Sequence, residues 1–430
     1  MISTESNTQI TRLEYVVLGV VVLLASGASW VSRNEGALIV ISVALFLCMA
    51  FQRRRVDLFI GVVLVAWAVV NVLSYVLNEQ DFPFRSFSGY IVRFMIPYFA
   101  LKIVGPGFWL KMERILFVMV LATLPVFLLD LMFPSAFDSM VVVFRHFTSD
   151  DFYVKEAQSS YWHSFVYTHS GRNDGRNSGF MWEPGAFAMV LVVLISANWL
   201  QFGMRLSKRV FVYVVALLST VSTAGYLALG ILLTAYLLGR GSFLIRWPTL
   251  AALAVAIAFA SQSEFIWPKI EGYWSEYVDA TAYQQTYSDR YEVNRLQHLM
   301  VAIKDSAQQP IGYGSLSAAS SLESEKVVGV SGIAAVLVMW GWAGLLFVVY
   351  SIYRFCAVLS VEPKRWVFIG LSVAILVVFF SNPIERNPLF FLIIFTPHVF
   401  TRGRLGGSKR RFSVMSRDRA RAEGRRLKPF

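Results

Sequence analysis

Long apolar segments separated by polar turns recur along the whole of this 430-residue chain. A helix needs about 20 mostly apolar residues to cross a bilayer, and shorter segments must tilt or embed only in part. The pattern therefore predicts an all-α, polytopic integral membrane protein with about twelve transmembrane helices. The expected spans are 15–31, 36–51, 57–77, 89–104, 115–133, 183–202, 210–223, 225–239, 247–262, 327–352, 366–381 and 388–401.

The composition agrees with the apolar pattern. Hydrophobic residues make up 56% of the chain, charged residues only 15%, and the mean hydropathy is +0.57. A soluble domain has about 25% charged residues. These values exclude an ordinary soluble protein.

The basic residues are distributed in a way that predicts orientation. The net charge is +12, and lysines and arginines are concentrated in the tail 402–430 and in short turns such as Arg53–Arg55 and Lys364–Arg365. Short loops rich in lysine and arginine stay in the cytoplasm, so both termini are expected there. Attraction to anionic lipid headgroups accounts for the basic tail. No nucleic-acid partner is expected.

This orientation leaves two long loops on the outer face of a transmembrane domain that covers 1–401. The loops are expected at about 134–182 and 263–326. The short cytoplasmic connections contain no glycine-rich phosphate-binding loop, which argues against nucleotide chemistry inside. Four of the five histidines lie in the outer loops: His146, His163, His169 and His298. We therefore expect the functional residues on the outer face.

The end of the first loop combines cationic side chains with a helix start. Arg172 and Arg176 stand in a polar, glycine-rich segment, and Glu183 is followed at once by Pro184. Proline suits the first turn of a helix because it lacks an N–H group that would be unpaired there. The free N–H groups and the dipole of a helix N-terminus attract anions such as phosphate. An alternative is a surface ion pair beside an ordinary helix start.

The second loop contains an expected amphipathic helix over 287–309, with apolar residues at helical spacing and an end at Pro310. The helix would lie on the membrane or line a cavity. Arg290 would occupy its first turn, where the helix dipole disfavours a cation unless an anion binds nearby. Arg93, within the fourth span, is either a phosphate contact in an outward-facing cavity or a snorkelling arginine.

Three short segments resemble a known family. The segment 176–185, RNSGFMWEPG, resembles the arginine-to-Glu-Pro signature of bacterial oligosaccharide repeat-unit polymerases, the Wzy-type O-antigen and exopolysaccharide polymerases. Residues 290–314, ending in PIGYG, resemble a second-loop pattern that these polymerases share with O-antigen ligases, and 341–344, GWAG, also fits. Ligases usually have a histidine late in the second loop, whereas 315–332 has none here, which favours a polymerase.

The resemblance implies a GT-C-like membrane glycosyltransferase in the bacterial cytoplasmic (inner) membrane, acting on its periplasmic or extracellular face. It would polymerise oligosaccharide repeat units carried on undecaprenyl pyrophosphate, with membrane lipids, a flippase and a chain-length regulator as partners. No metal or other cofactor is expected, because guanidinium groups bind phosphate. The expected pyrophosphate ligands are Arg176, Arg290 and Arg93, with Arg172 and Arg295 as weaker members. The expected general base is Glu183, although this residue could instead orient Arg176. His169 is the other candidate for the base.

Two other functions remain open. An O-antigen ligase would use the same donor but transfer the glycan to lipid A-core. A polysaccharide transporter or flippase would place charged residues along a central path between the two faces. The concentration of candidate residues at the outer mouth, the unequal loops and the absence of an internal repeat argue against transport.

Overall fold

A computed structural model describes most of the chain as helix. The described residues are 11–77, 84–149, 160–171, 175–240, 291–292, 295–314, 327–328, 331–361, 364–382 and 387–400. The expected span 247–262 and the tail 402–430 lie outside these residues.

The helices begin and end close to the positions that the apolar pattern indicates. In chain order they are α1 Arg12–Ala25, α2 Trp30–Arg33, α3 Glu35–Phe51, α4 Leu58–Leu77, α5 Phe84–Val104, α6 Phe108–Met132, α7 Pro134–Ser139, α8 Val141–Phe144, α9 Pro184–Phe202, α10 Lys208–Ser219, α11 Thr223–Arg240, α12 Arg295–Gln308, α13 Gly332–Leu359, α14 Arg365–Phe380 and α15 Pro388–Val399. Two short β ladders accompany them: β1 Tyr161–His163 with β2 Thr168–Ser170, antiparallel, and β3 Tyr291–Glu292 with β4 Val327–Val328, parallel.

Among the described residues, four helical stretches are long and apolar enough to cross a membrane: Leu58–Leu77, Phe87–Met132, Pro184–Phe202 and Gly332–Leu359. Helices α3, α11, α14 and α15 are apolar but shorter. Apolar helices of this number and length indicate a membrane protein. The count of twelve spans stays a prediction, since α1 and α10 have only 14 and 12 residues.

Helix α9 lies at the centre of the bundle. It is apolar on all sides, which is typical of a helix that is surrounded by other helices. Of its apolar window 83% is buried, against 28% for α4. Its neighbours are α6, α10, α11, α13 and α14. By contrast, α4 exposes residues such as Val65 and Leu77, as expected of a helix that faces lipid.

A fully buried carboxylate attaches the far end of α9 to its neighbours. Glu113 of α6 accepts hydrogen bonds from Asn198 Nδ2 of α9 at 3.0 Å and from the Tyr213 hydroxyl of α10 at 2.8 Å. Its other oxygen pairs with Arg209. A buried charge is tolerated when it is paired and hydrogen-bonded in this way.

Helix α13 is broken at Gly341, and the chain after α12 fills the break. Gly341 has φ 63° and ψ −166°, a conformation that glycine tolerates and other residues rarely adopt. The backbone N–H of Tyr313 donates to Val338 O at 2.8 Å, and that of Trp342 donates to Pro310 O at 3.1 Å. Non-helical backbone among membrane helices requires internal partners of this kind. The PIGYG and GWAG segments are therefore in direct contact.

The structure corrects three expectations. Helix α1 ends at Ala25 instead of residue 31, because Gly27, at φ 69°, turns the chain beneath the Trp182 ring. Helix α12 begins at Arg295, after the short strand Tyr291–Glu292, and not at residue 287. Met300 and Ile303 of its apolar face are exposed and Asp305 is buried, the arrangement expected of an amphipathic helix that faces lipid. Neither β ladder is indicated by the apolar pattern, because each strand has only two or three residues.

We expect Gly341→Ala to destabilise the protein. A Cβ at this position would overlap the carbonyl of Pro310, and its backbone φ is positive, so the cost should be about 1–3 kcal/mol. The measurement is thermal unfolding in detergent. Gly230→Ala in α11 is the control, because nothing lies within 4 Å of a Cβ there. Equal melting temperatures for both variants would contradict the role assigned to the break.

Candidate functional site

Glu183 is held at the N-terminus of α9 by the loop that precedes it. The backbone N–H of Trp182 donates to Ser26 O at 3.0 Å, and Trp182 O accepts from the Tyr161 hydroxyl at 3.1 Å. Glu183 has extended backbone angles, φ −155° and ψ 160°, and its side chain does not cap the helix. The carboxylate is hydrogen-bonded by the Trp182 side chain and lies beside the first turn of a buried helix.

Arg176 is positioned by contacts with the turn after α10. The backbone N–H of Asn177 donates to Ser219 O at 3.0 Å, and Asn177 Nδ2 donates to Ser219 Oγ at 2.9 Å. Arg176 Nε donates to Thr220 O at 3.2 Å. Gly179, at φ 53°, packs directly on the Phe187 ring, so the loop lies flat against α9.

Arg295 enters the same region from the second loop. It is the first residue of α12, and its Nε donates to Ser381 O at 2.7 Å, just after α14. A cation in the first turn of a helix is disfavoured by the dipole. The argument that the sequence raised for Arg290 therefore applies to Arg295, whose compensating charge is Glu183.

Electrostatics connect the three side chains. Burial raises the pKa of Glu183, while the charges of Arg295 and Arg176 oppose that increase. The carboxylate is thus within electrostatic range of two guanidinium groups that come from separate parts of the chain. The site combines an acceptor, two fixed cations and a helix N-terminus, which is a suitable environment for a phosphate group.

Arg93 lies on a different part of the bundle. Arg93 is half-buried on α5, a helix that packs on α1, α3 and α15 and not principally on α9. In the described part of the chain, Arg93 is not among the charges that act on Glu183. Arg172 and Arg290 lie outside the described residues, so their roles stay predictions.

His169 lies between two carboxylates. Its Nδ1 is 2.9 Å from Asp130 Oδ2, and its Nε2 is 3.0 Å from Asp138 Oδ1. Tyr167 donates to the same Asp130 oxygen at 2.7 Å. Burial lowers the pKa of His169, but the hydrogen bonds and charges of the two aspartates outweigh it and raise the pKa above 6.5. This geometry favours an imidazolium ion.

A cavity of about 280 Å³ joins this cluster to Arg176. Its lining includes Asp130, Asp138, Tyr167 and His169 together with Arg176. Asp138 is the accessible member, with 49% of its side chain exposed against 5% for His169. Hydrogen bonds from Ser160 and His169 lower the pKa of Asp138. The Asp138 carboxylate therefore stays ionised and can accept hydrogen bonds from hydroxyl groups.

The remaining loop histidines have other surroundings. His163 is buried with Nδ1 2.8 Å from Thr168 Oγ1, and burial lowers its pKa to about 4. His298 is buried against α13, where its Nδ1 accepts from the Ser331 backbone N–H at 3.2 Å. His146 is exposed. Within the described ranges, no three His, Cys, Asp or Glu side chains are grouped to hold a metal ion.

Sequence reasoning missed Asp130, Asp138, Tyr167 and Asn382. Asp130 is the single acidic residue of the expected span 115–133 and lies near its outer end, which was the available signal. Asn382 is fully buried and lies beside Gly185 in the first turn of α9. No spacing connects these residues with Glu183, because they are brought together by the packing of α6, α9 and α14.

The stability conferred by His169 should depend on pH. Its raised pKa means that the stabilisation is complete below its unfolded value of about 6.5 and is lost as the pH rises through the folded value. We expect the difference in melting temperature between the wild type and His169→Gln to shrink from pH 6 to about pH 9. Asp138, whose pKa is lowered, stays ionised over this range. A difference that grows with pH would contradict the imidazolium assignment.

Comparison with known protein families, with curated proteins and with solved structures finds no match to this chain. The resemblance to polymerases therefore rests on the short segments around Glu183, Pro310 and Gly341. What the chain does must be inferred from its own geometry.

Proposed function

We propose that this protein is a membrane glycosyltransferase that polymerises oligosaccharide repeat units carried on a polyprenyl pyrophosphate such as undecaprenyl pyrophosphate. The observation that carries the proposal is the meeting of Arg176, Glu183 and Arg295 at the N-terminus of α9. Two cations and a helix N-terminus suit a diphosphate leaving group, and a carboxylate beside them suits a general base.

The residues allow a balanced reaction. A hydroxyl of the acceptor sugar attacks the anomeric carbon of the donor, and the bond from that carbon to the diphosphate oxygen breaks. Glu183 takes the hydroxyl proton, while Arg176 and Arg295 stabilise the negative charge that develops on the departing lipid diphosphate. A raised pKa makes Glu183 a stronger base than an ordinary glutamate. With both ring nitrogens occupied, His169 is less suited to accept a proton.

The charges at the two ends of α9 support an outward-facing site. Glu183 stands at one end, and the other end continues into a turn with Arg205, Lys208 and Arg209. The helix has 19 residues. It therefore spans about 28 Å, close to the thickness of the hydrocarbon core. Positively charged turns favour the cytoplasm, so we place the Glu183 end on the periplasmic or extracellular side.

O-antigen ligase is the second candidate, and one observation favours it. The segment 315–332 lacks a histidine, which spoke for a polymerase, but His298 contacts Ser331 immediately before α13. A histidine from α12 thus reaches the region where the ligase resemblance expects one. Lipid A-core would then be the acceptor, with the same donor chemistry.

Removing either arginine should stop polymer formation. We expect Arg176→Ala and Arg295→Ala each to reduce the rate about 10²–10³-fold, because each removes a cation that stabilises the leaving group. The measurement is gel analysis of surface glycan in cells whose own gene is deleted and replaced by each variant. Single repeat units should accumulate on the lipid carrier. Arg176→Lys should also lose most activity, since lysine cannot bind phosphate with two parallel hydrogen bonds.

Arg205→Ala is the matched control, because it removes a positive charge at the opposite end of α9 and should leave long chains intact. Normal ladders from Arg176→Ala and Arg295→Ala would refute the proposed site. In the deletion strain, long polymer retained on the lipid carrier would identify a ligase, and lipid-linked units on the inner face would identify a flippase.

Glu183 should determine the acidic limb of the pH–rate profile. A general base must be deprotonated, so the rate should fall as the pH is lowered through the raised pKa of Glu183, above its ordinary 4.5. In Glu183→Gln the residual rate should be low and lack this limb. The measurement is the initial rate of purified protein in lipid nanodiscs. An unchanged profile in Glu183→Gln would assign the base to another residue.

A further inference from the structure

Asn382 extends the site at the start of α9. It follows α14 directly, beside Ser381, whose carbonyl accepts the Arg295 hydrogen bond, and it has no exposed surface. Its Oδ1 lies 2.8 Å from the position of a Cβ on Gly185, and its Cγ lies 3.8 Å from that position. The amide oxygen therefore points towards the first turn of α9.

The orientation of this amide is determined by its other end. Asn382 Nδ2 donates to Val378 O at 2.7 Å, so exchanging the nitrogen and oxygen would place two oxygens together. In this orientation Oδ1 is buried and has no hydrogen-bond partner in the described part of the chain. A buried acceptor without a partner is destabilising, and such groups are usually satisfied by a ligand or a water molecule.

The surroundings indicate what kind of donor fits. Glu183 Oε1 lies 3.7 Å from the same Gly185 position, so both acceptor oxygens lie beside the first turn of α9. The charges of Arg176 and Arg295 next to them disfavour a cation in that place. Sugar hydroxyl groups are neutral donors. A sugar attached to a phosphate would offer its oxyanion to the arginines and its hydroxyls to these two oxygens.

We propose that Asn382 Oδ1 accepts a hydrogen bond from a hydroxyl of the sugar next to the diphosphate, and that it selects a glycosyl phosphate over a bare phosphate. This inference rests on the proposed function of the Glu183 site. Asn382 Oδ1 can lie this close to the first turn of α9 because Gly185 has no side chain, and a Cβ there would contact the oxygen. Asn382 is thus a specificity-determining residue.

The test compares ligands with and without a sugar. Calorimetric titration of the purified protein in nanodiscs would use inorganic phosphate and the 1-phosphates of glucose, galactose and N-acetylglucosamine. We expect the wild type to bind at least one sugar phosphate more tightly than phosphate. Asn382→Leu keeps the side-chain size but has no hydrogen-bond acceptor. This variant should bind that sugar phosphate about tenfold more weakly and bind inorganic phosphate as the wild type does.

Asn71→Leu controls for the loss of a buried amide, because Asn71 is also fully buried and its Nδ2 donates to the carbonyl four residues earlier, Trp67 O, at 2.7 Å. It should retain the preference for sugar phosphate. A wild type that prefers none of the three sugar phosphates, or an Asn382→Leu variant that keeps the preference, overturns this inference but leaves the phosphate site intact. Failure of the wild type to bind phosphate at all overturns the proposed function as well.

Discussion

Polar backbone groups in an apolar surrounding must find partners within the protein, and this constraint organises the whole molecule. It accounts for the predominance of helices. It also explains the break in α13, where Gly341 opens the helix and the backbone of Pro310 and Tyr313 supplies the missing hydrogen bonds. Helix α9 begins without a side-chain cap, and Glu183 and the charges of Arg176 and Arg295 are found at its N-terminus. The candidate site lies at this helix start.

The site separates donors from acceptors around one helix start. Arg176 and Arg295 are held by backbone carbonyls, of Thr220 and Ser381, so their guanidinium groups are positioned before any ligand arrives. Both charges act on Glu183. Groups fixed in advance stabilise a developing charge without reorganisation, which is the main electrostatic contribution to catalysis in many enzymes. The environment that raises the Glu183 pKa also makes it a suitable base.

The cavity beside Arg176 contributes a second chemical character. His169 neutralises part of the charge of Asp130 and Asp138, and Asp138 remains accessible. A surface of carboxylates and hydroxyl groups next to a cationic centre suits a polyhydroxylated ligand that carries a phosphate. The same division appears on the other side of Glu183, where Asn382 offers an acceptor beside Arg295.

The sequence by itself determined the helical class, most helix bounds and the position of Glu183 and Pro184 at a helix start, because apolar length and the chemistry of a helix start are local properties. Only the tertiary structure decided that Arg295 acts electrostatically on Glu183, that the PIGYG and GWAG segments meet, that Asp130 and Asp138 share a cavity with Arg176, and that Asn382 lies beside Gly185. The reason is physical: these contacts join residues up to some two hundred positions apart, and their partners are chosen by helix packing, which no local pattern records.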